Sequence, residues 1–162
     1  MEELIYIEPT AKDIQFYKDL IKEQGNIVCR DSIDVQVIRN KINTFVFGYI
    51  SISNKYQSNR RSIKKTTDKY ILNGFILCSF NKELDSVLDI DLVCSRKNSN
   101  IGKLLMNTVE EYSKTIGIDT LVLHSLAEEN LKKWYKDLGF IHISTIYLKD
   151  DIPKVFFMMK KI

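Results

Sequence analysis

From Ser86 to Phe140 the chain reads as strand, polar turn, amphipathic helix, strand, and a second helix closing in Trp134-Tyr135-Lys136-Asp137-Leu138-Gly139-Phe140. This order constrains the fold more than any other feature, because each helix must bury its apolar stripe against a sheet. At its centre lies Lys97-Asn98-Ser99-Asn100-Ile101-Gly102-Lys103-Leu104-Leu105, a polar turn that runs straight into the helix. Such a turn leaves backbone N–H groups pointing outward at the positive end of a helix dipole, which suits a phosphate. Asn98 and Ser99 are also ordinary helix caps, so the turn alone leaves both readings open.

The remaining elements follow from periodicity. Leu4–Ile7 reads as a short strand, and Thr10 as the cap of a helix carrying Ile14, Tyr17, Leu20 and Ile21 until Gly25 stops it. After an irregular stretch from Asn26 to Asp31, Val35, Ile38 and Ile42 mark a second helix starting near Ser32. Thr44–Ile52, Tyr70–Phe80 and Ser86–Val93 are dense in β-branched and aromatic residues and read as strands. A helix from Asn98 or Ser99 to Ile116 places Leu104, Leu105, Thr108, Val109 and Tyr112 on one stripe, with Gly117 past its end. Asp119–His124 is a strand, Ala127–Leu138 a helix, and Phe140–Leu148 and Lys154–Lys160 are strands joined by a turn at Asp150–Pro153. The order βααβ, then ββαβαββ, with no repeat and no linker, predicts one α/β or α+β mixed-sheet domain over residues 1–162.

Composition narrows the class. The chain has 162 residues, enough to close a core without metal or disulfides, and a net charge of +3, too mild for a protein that coats nucleic acid. Cys29, Cys78 and Cys94 are odd in number and widely spaced, which predicts neither a disulfide framework nor a zinc site; Cys78 and Cys94 sit in apolar runs as small core residues. The acidic start Met1-Glu2-Glu3 is unlike a signal peptide and no apolar run reaches membrane-spanning length, so the expected setting is soluble, reducing and cytoplasmic, with no membrane partner. Asn54–Lys69 holds Lys55, Arg60, Arg61, Lys64, Lys65 and Lys69 against Asp68 alone. It reads either as a solvated loop or as a basic flap for an acidic ligand or partner.

With these elements in place, the chain resembles the Gcn5-related N-acetyltransferases, the GNAT family, over nearly its whole length. The family's acetyl-CoA loop, Gln/Arg-x-x-Gly-x-Gly/Ala, aligns with Lys97 at the basic position, Asn100 at the first glycine and Gly102 at the last; Cys94 stands where many members have Pro. Asn is one of the few residues that tolerates a left-handed backbone at such a position. Downstream, Tyr135 and Gly139-Phe140 match the family's Tyr-x-x-x-Gly-Phe segment. Glu128 stands where many members carry Asn, with Asn130 two residues on.

The resemblance implies an acyl-CoA N-acyltransferase fold with a mostly antiparallel central sheet flanked by helices. It implies an enzyme in which a substrate amine attacks the acetyl-CoA thioester directly, with no metal. Leu92, Val93 and Cys94 would hydrogen-bond the pantetheine arm and polarise the thioester carbonyl. The backbone of Asn98, Ser99, Asn100, Ile101, Gly102 and Lys103, with charge from Lys97 or Lys103, would hold the pyrophosphate, and Asn130 would add a cofactor contact. Tyr135 would act as general acid or hydrogen-bond donor toward the coenzyme A thiolate, its ordinary pKa near 10 keeping it protonated at neutral pH.

Strand alternation puts Asp89 and Asp91 on one face, where they could raise one another's pKa and take the amine proton, bind a cationic acceptor, or simply be wet. His124 is a further candidate base by its ordinary pKa; His142 carries less weight. The acceptor amine is unidentified, and because family members often dimerise, a homodimer is open to this chain. An alternative function is a catalytically weakened GNAT-fold module that binds an acidic partner or nucleic acid through residues 54–69.

Overall fold

Among the described residues the fold has seven strands and four α-helices, in the order that the periodicity predicts. The structure, a computed structural model, describes residues 2–30, 32–55, 66–97, 99–149 and 151–162. The elements are β1 (Glu2–Ile7), α1 (Ile14–Val28), α2 (Val35–Thr44), β2 (Phe47–Asn54), β3 (Tyr70–Phe80), β4 (Val87–Ser95), α3 (Ile101–Thr115), β5 (Thr120–Leu126), α4 (Glu129–Asp137), β6 (Ile141–Tyr147) and β7 (Pro153–Lys161). The strands follow the order β1-β2-β3-β4-β5-β7-β6. β4 and β5 pair in parallel, while β1–β2, β2–β3, β5–β7 and β6–β7 are antiparallel.

Contacts divide the chain into two units. The first comprises Met1–Cys78 with Leu92–Val109, the second Ser79–Asp91 with Glu110–Ile162. In the first, Tyr17, Leu20, Ile21 and Val28 of α1 and Ile38 and Ile42 of α2 close a cluster with Ile50, Ile52, Leu72, Phe75, Leu77, Leu92 and Cys94 from the strands. Each such side chain removed from water contributes about 1.5–3 kcal/mol. In the second, Leu88, Ile90, Leu121, Leu123, Tyr135, Phe140, Phe156 and Met158 are buried.

Several local expectations change. Helix α1 does not stop at Gly25; it runs on to Val28. Gly25 is buried within the helix, where a Cβ would meet Ile21, Ile38 and Phe75 at ordinary contact distances of 3.4–3.7 Å, so it does not terminate α1. Thr10 does not cap α1, since its hydroxyl donates to Glu8 instead and Asp13 occupies the cap position. Helix α2 is capped by Asp34, whose Oδ1 accepts the Gln36 N–H at 2.7 Å.

The buried stripe of α3 consists of Ile101, Leu105, Met106, Val109 and Ser113. Leu104 is 44% exposed and Thr108 and Tyr112 are half-buried, so the helix is rotated from the predicted stripe. The physical reason lies at its start: with Ile101 as first helical residue and buried, i+4 and i+8 are Leu105 and Val109. Gly117 follows the helix at φ +84°, the left-handed stop that glycine supplies.

The largest correction concerns the cysteines. Cys29 and Cys94 form a disulfide, against the expectation that no cysteine pairs; Cys78 stands outside the pair and is buried. The pair is 65 residues apart in sequence, and it forms because the C-terminal end of α1 packs against β4.

Of the basic segment Asn54–Lys69, residues 56–65 lie outside the described residues. Its base is closed by the Lys55 N–H donating to the Lys69 carbonyl at 2.8 Å, with one 3-10 turn at Thr67–Lys69.

Candidate functional site

Apart from Asn130 on α4 and Asn98, which lies outside the described residues, the predicted cofactor residues fall on the C-terminal half of β4, the turn after it and the first turn of α3. Along β4, Leu92 and Cys94 are buried, while Val93 and Ser95 are half-buried on the opposite face. Beneath them Gly74 of β3 lies so close that a Cβ would sit 2.7 Å from Ile101 Cγ2 and 2.8 Å from the Cys94 carbonyl oxygen. Gly74→Ala is therefore expected to cost about 1–3 kcal/mol, read as a lowered midpoint in urea unfolding; an unchanged midpoint would refute this tight seat for β4.

Two residues that sequence reasoning missed tie the turn down. β3 carries a bulge, with Ser51 opposite Gly74 and Ile52 opposite Leu72, so Asn73 is the extra residue. The Asn73 carbonyl accepts the Arg96 N–H at 3.0 Å, and Arg96 Nε donates to the Leu72 carbonyl at 2.9 Å. The Leu72 N–H is taken by Gln24 Oε1 at 2.9 Å, and Gln24 Nε2 donates to the Tyr70 carbonyl at 2.9 Å. Side chains thus complete the backbone pairing of Leu72. The only sequence signal was an Arg immediately before Lys97; nothing in the sequence points to Gln24.

Within the turn, Ser99 Oγ donates to the Arg96 carbonyl at 2.7 Å. Lys97, Ser99, Asn100 and Lys103 are exposed, Gly102 is buried, and Asn98 lies outside the described residues. The first α3 bond is Leu104 N–H to the Asn100 carbonyl at 3.0 Å. The helix itself therefore satisfies none of the N–H groups of Ile101, Gly102 and Lys103, which lie at its positive end. Among the described non-glycine residues only Arg30 and Asp151 have positive φ, so Asn100 uses no left-handed backbone. The glycine-like freedom suggested for that position is not needed.

In the second unit, Tyr135 is 6% exposed on α4, its ring meeting Trp134 and Phe140 edge-on at centroid distances of 4.9 and 5.9 Å. The spacing to Gly139-Phe140 has a local cause. Phe140 N–H bonds to the Tyr135 carbonyl at 3.1 Å and Gly139 N–H to the Lys136 carbonyl at 2.9 Å, with Gly139 at φ +99°. This is a Schellman stop, and the Tyr135–Phe140 ring contact is the apolar contact that accompanies it. The Gly-Phe pair thereby locks the backbone and ring of Tyr135. Among the described residues the Tyr135 hydroxyl has no hydrogen-bond partner, and burial pushes its pKa well above the ordinary phenol value.

The candidate acids lie as alternation predicts, half-buried between buried Leu88, Ile90 and Leu92. Asp89 partners Val122 in the parallel register and Ile90 partners Leu123, so Asp89 and Asp91 share a sheet face with Val122 and His124. Asp89 Oδ1 accepts from Asn81 Nδ2 at 3.3 Å, and Asn81 Oδ1 accepts the N–H groups of Glu83 and Leu84. Asp89 thus also supports the β3–β4 turn. His124 is exposed, its ring 5.1 Å from that of Phe157. His142 instead bonds Thr145 Oγ1 and the Ser144 carbonyl beside Phe156. Asn130 is exposed in the first turn of α4.

No family model matches the sequence, and no curated protein matches it. Solved structures do match, across the full length. The IAA acetyltransferase from Bacillus cereus superposes with a TM-score of 0.65 at 12% identity, covering 100% of both chains. The ribosomal-protein-S18-alanine N-acetyltransferase from Escherichia coli gives 0.64 at 13%, covering 100% of this chain and 94% of the other. Arabidopsis thaliana NAA60 in complex with acetyl-CoA gives 0.62 at 14%, covering 100% and 99%. The chain has the mixed α/β fold of the GNAT acyl-CoA N-acyltransferases, as its resemblance to that family implied.

Proposed function

We propose that residues 1–162 form one N-acetyltransferase domain that transfers the acetyl group of acetyl-CoA to a primary amine by direct attack. The observation that carries this reading is the β4–turn–α3 segment: an exposed polar turn, tied down by Arg96 and Ser99 and leading into N–H groups that the helix itself does not satisfy. It occurs on a fold shared from end to end with acetyltransferases, one of them holding acetyl-CoA.

In this mechanism the N–H groups from Asn98 to Lys103, with Lys97 or Lys103, bind the pyrophosphate. A backbone N–H of Leu92–Cys94 polarises the thioester carbonyl as the amine attacks. Asp89, Asp91 or His124 takes the amine proton, directly or through water, and the two aspartates favour a cationic acceptor such as a small polyamine or a protein lysine or N-terminus. Tyr135 donates to the departing thiolate, and its hydroxyl, which has no partner among the described residues, supports that role. As part of this reading we assign the protein to the cytoplasm. Among the described residues no helix is long and apolar enough to cross a membrane.

Isothermal titration with acetyl-CoA is expected to show saturable binding with a Kd of about 10 μM or tighter, roughly −7 kcal/mol. Absence of saturation at high micromolar acetyl-CoA would overturn the reading. Binding without turnover over a broad amine panel would favour the interaction module instead.

A further inference from the structure

The Cys29–Cys94 disulfide is not used by the proposed chemistry, yet it ends on the strand that performs it. Cys94 belongs to the segment Leu92–Cys94 assigned to the pantetheine arm and thioester, and its carbonyl oxygen lies 2.8 Å from where a Cβ on Gly74 would sit. Cys29 is the C-terminal cap residue of α1, its N–H donating to the Gly25 carbonyl at 2.8 Å. The chain turns sharply there: Arg30 has φ +56°, and the Ser32 hydroxyl donates to the Cys29 carbonyl. One covalent bond therefore fastens the end of α1 to the proposed thioester strand inside the first unit.

We infer that the oxidation state of this pair controls acetyl-CoA affinity, the oxidised form binding more tightly; the inference rests on the proposed acetyltransferase reading. The disulfide holds Leu92–Cys94 in place before the cofactor arrives, so binding does not have to order that strand. Both cysteines are buried, Cys29 3% exposed and Cys94 5%. Exchange proceeds when the last turn of α1 opens, the kind of local event that helix ends undergo. A thiolate of a dithiol reductant attacks Cys29 Sγ and releases the Cys94 thiolate, which takes up a proton. The reductant's second thiol then cleaves the mixed disulfide, leaving two protein thiols and an oxidised cyclic disulfide, two electrons having moved. In a cytoplasmic protein a disulfide that opens and closes in this way is a sensor rather than a staple.

The test uses the full chain, oxidised or treated with dithiothreitol, with thiols counted by maleimide after unfolding. One of the three cysteines should react in the oxidised form and all three after reduction. In titration, reduction is expected to raise the Kd for acetyl-CoA about five- to tenfold, and Cys29→Ser to show the weaker value in both buffers. By linkage, saturating acetyl-CoA should shift the dithiothreitol ratio needed for half-reduction of wild-type protein by the same factor, a readout that needs no variant to fold. Equal Kd values in the two forms, or three reactive thiols in the oxidised sample, would overturn the switch while leaving the acetyltransferase reading standing. Failure of both forms to bind acetyl-CoA would remove that reading and the switch with it.

Discussion

Replacing Tyr135 by Phe is expected to lower kcat about 100-fold while leaving the KM for acetyl-CoA within about twofold of wild type. The substitution removes one oxygen and keeps the ring that packs against Trp134 and Phe140. The lost interaction is one made only as the thioester breaks and negative charge appears on sulfur, so it falls on turnover rather than binding. Stability separates this role from a packing role. The hydroxyl has no partner among the described residues, so its removal should leave the unfolding midpoint unchanged or slightly raised. An unchanged kcat would remove Tyr135 from the mechanism.

The pH dependence follows from the direction of the shift. A phenol whose folded pKa lies above the unfolded value of about 10 stays protonated through that pH, so Tyr135 should produce no falling limb in the rate near pH 10. Its effect on stability has the matching sign: fully present below pH ~10, and lost as pH rises from there toward the folded value.

Element order and type were legible because period-2 and period-3.6 patterns reflect burial that each segment needs wherever it packs. The order predicted from sequence is the order found, and Tyr70–Phe80 is β3 to the residue. What escaped is what long-range packing decides. Gly25 looks like a stop in isolation and is instead where α1 lies close to Ile38 and Phe75. The spacing of Leu104, Leu105, Thr108, Val109 and Tyr112 predicts one stripe on α3, yet buried Ile101 at the helix start sets the phase. For the site, Lys97, Asn100, Gly102 and Tyr135 could be picked out by spacing to a known pattern. Arg96 and Gln24 could not, because their partners are backbone atoms of Tyr70, Leu72 and Asn73, and neither these nor the bulge at Asn73 is announced by a side-chain pattern. The Tyr-x-x-x-Gly-Phe spacing was legible as a motif before its cause, a helix stop, could be seen.

Reduction of Cys29–Cys94 is expected to destabilise the protein by about 4 kcal/mol, the chain-entropy value for a closed loop of this length. The two cysteines are 65 residues apart, and the loop between them contains α2, β2 and β3 of the first unit. Opening it leaves the core packing of Leu20, Ile21 and Phe75 in place but releases the unfolded chain to many more conformations. For a chain of this size the loss corresponds to a fall in Tm of roughly 10 °C, measured by circular dichroism with and without dithiothreitol at matched pH. Free energy should then divide in a recognisable way. If the pair acts only on the unfolded chain, reduction lowers Tm and leaves acetyl-CoA affinity alone. If it also holds Leu92–Cys94 ready for the thioester, both fall together, and saturating acetyl-CoA raises the Tm of the oxidised form more than that of the reduced form. A Tm shift below about 2 °C, against the roughly 10 °C expected, would mean that the first unit is held by its core alone, with the disulfide adding no constraint.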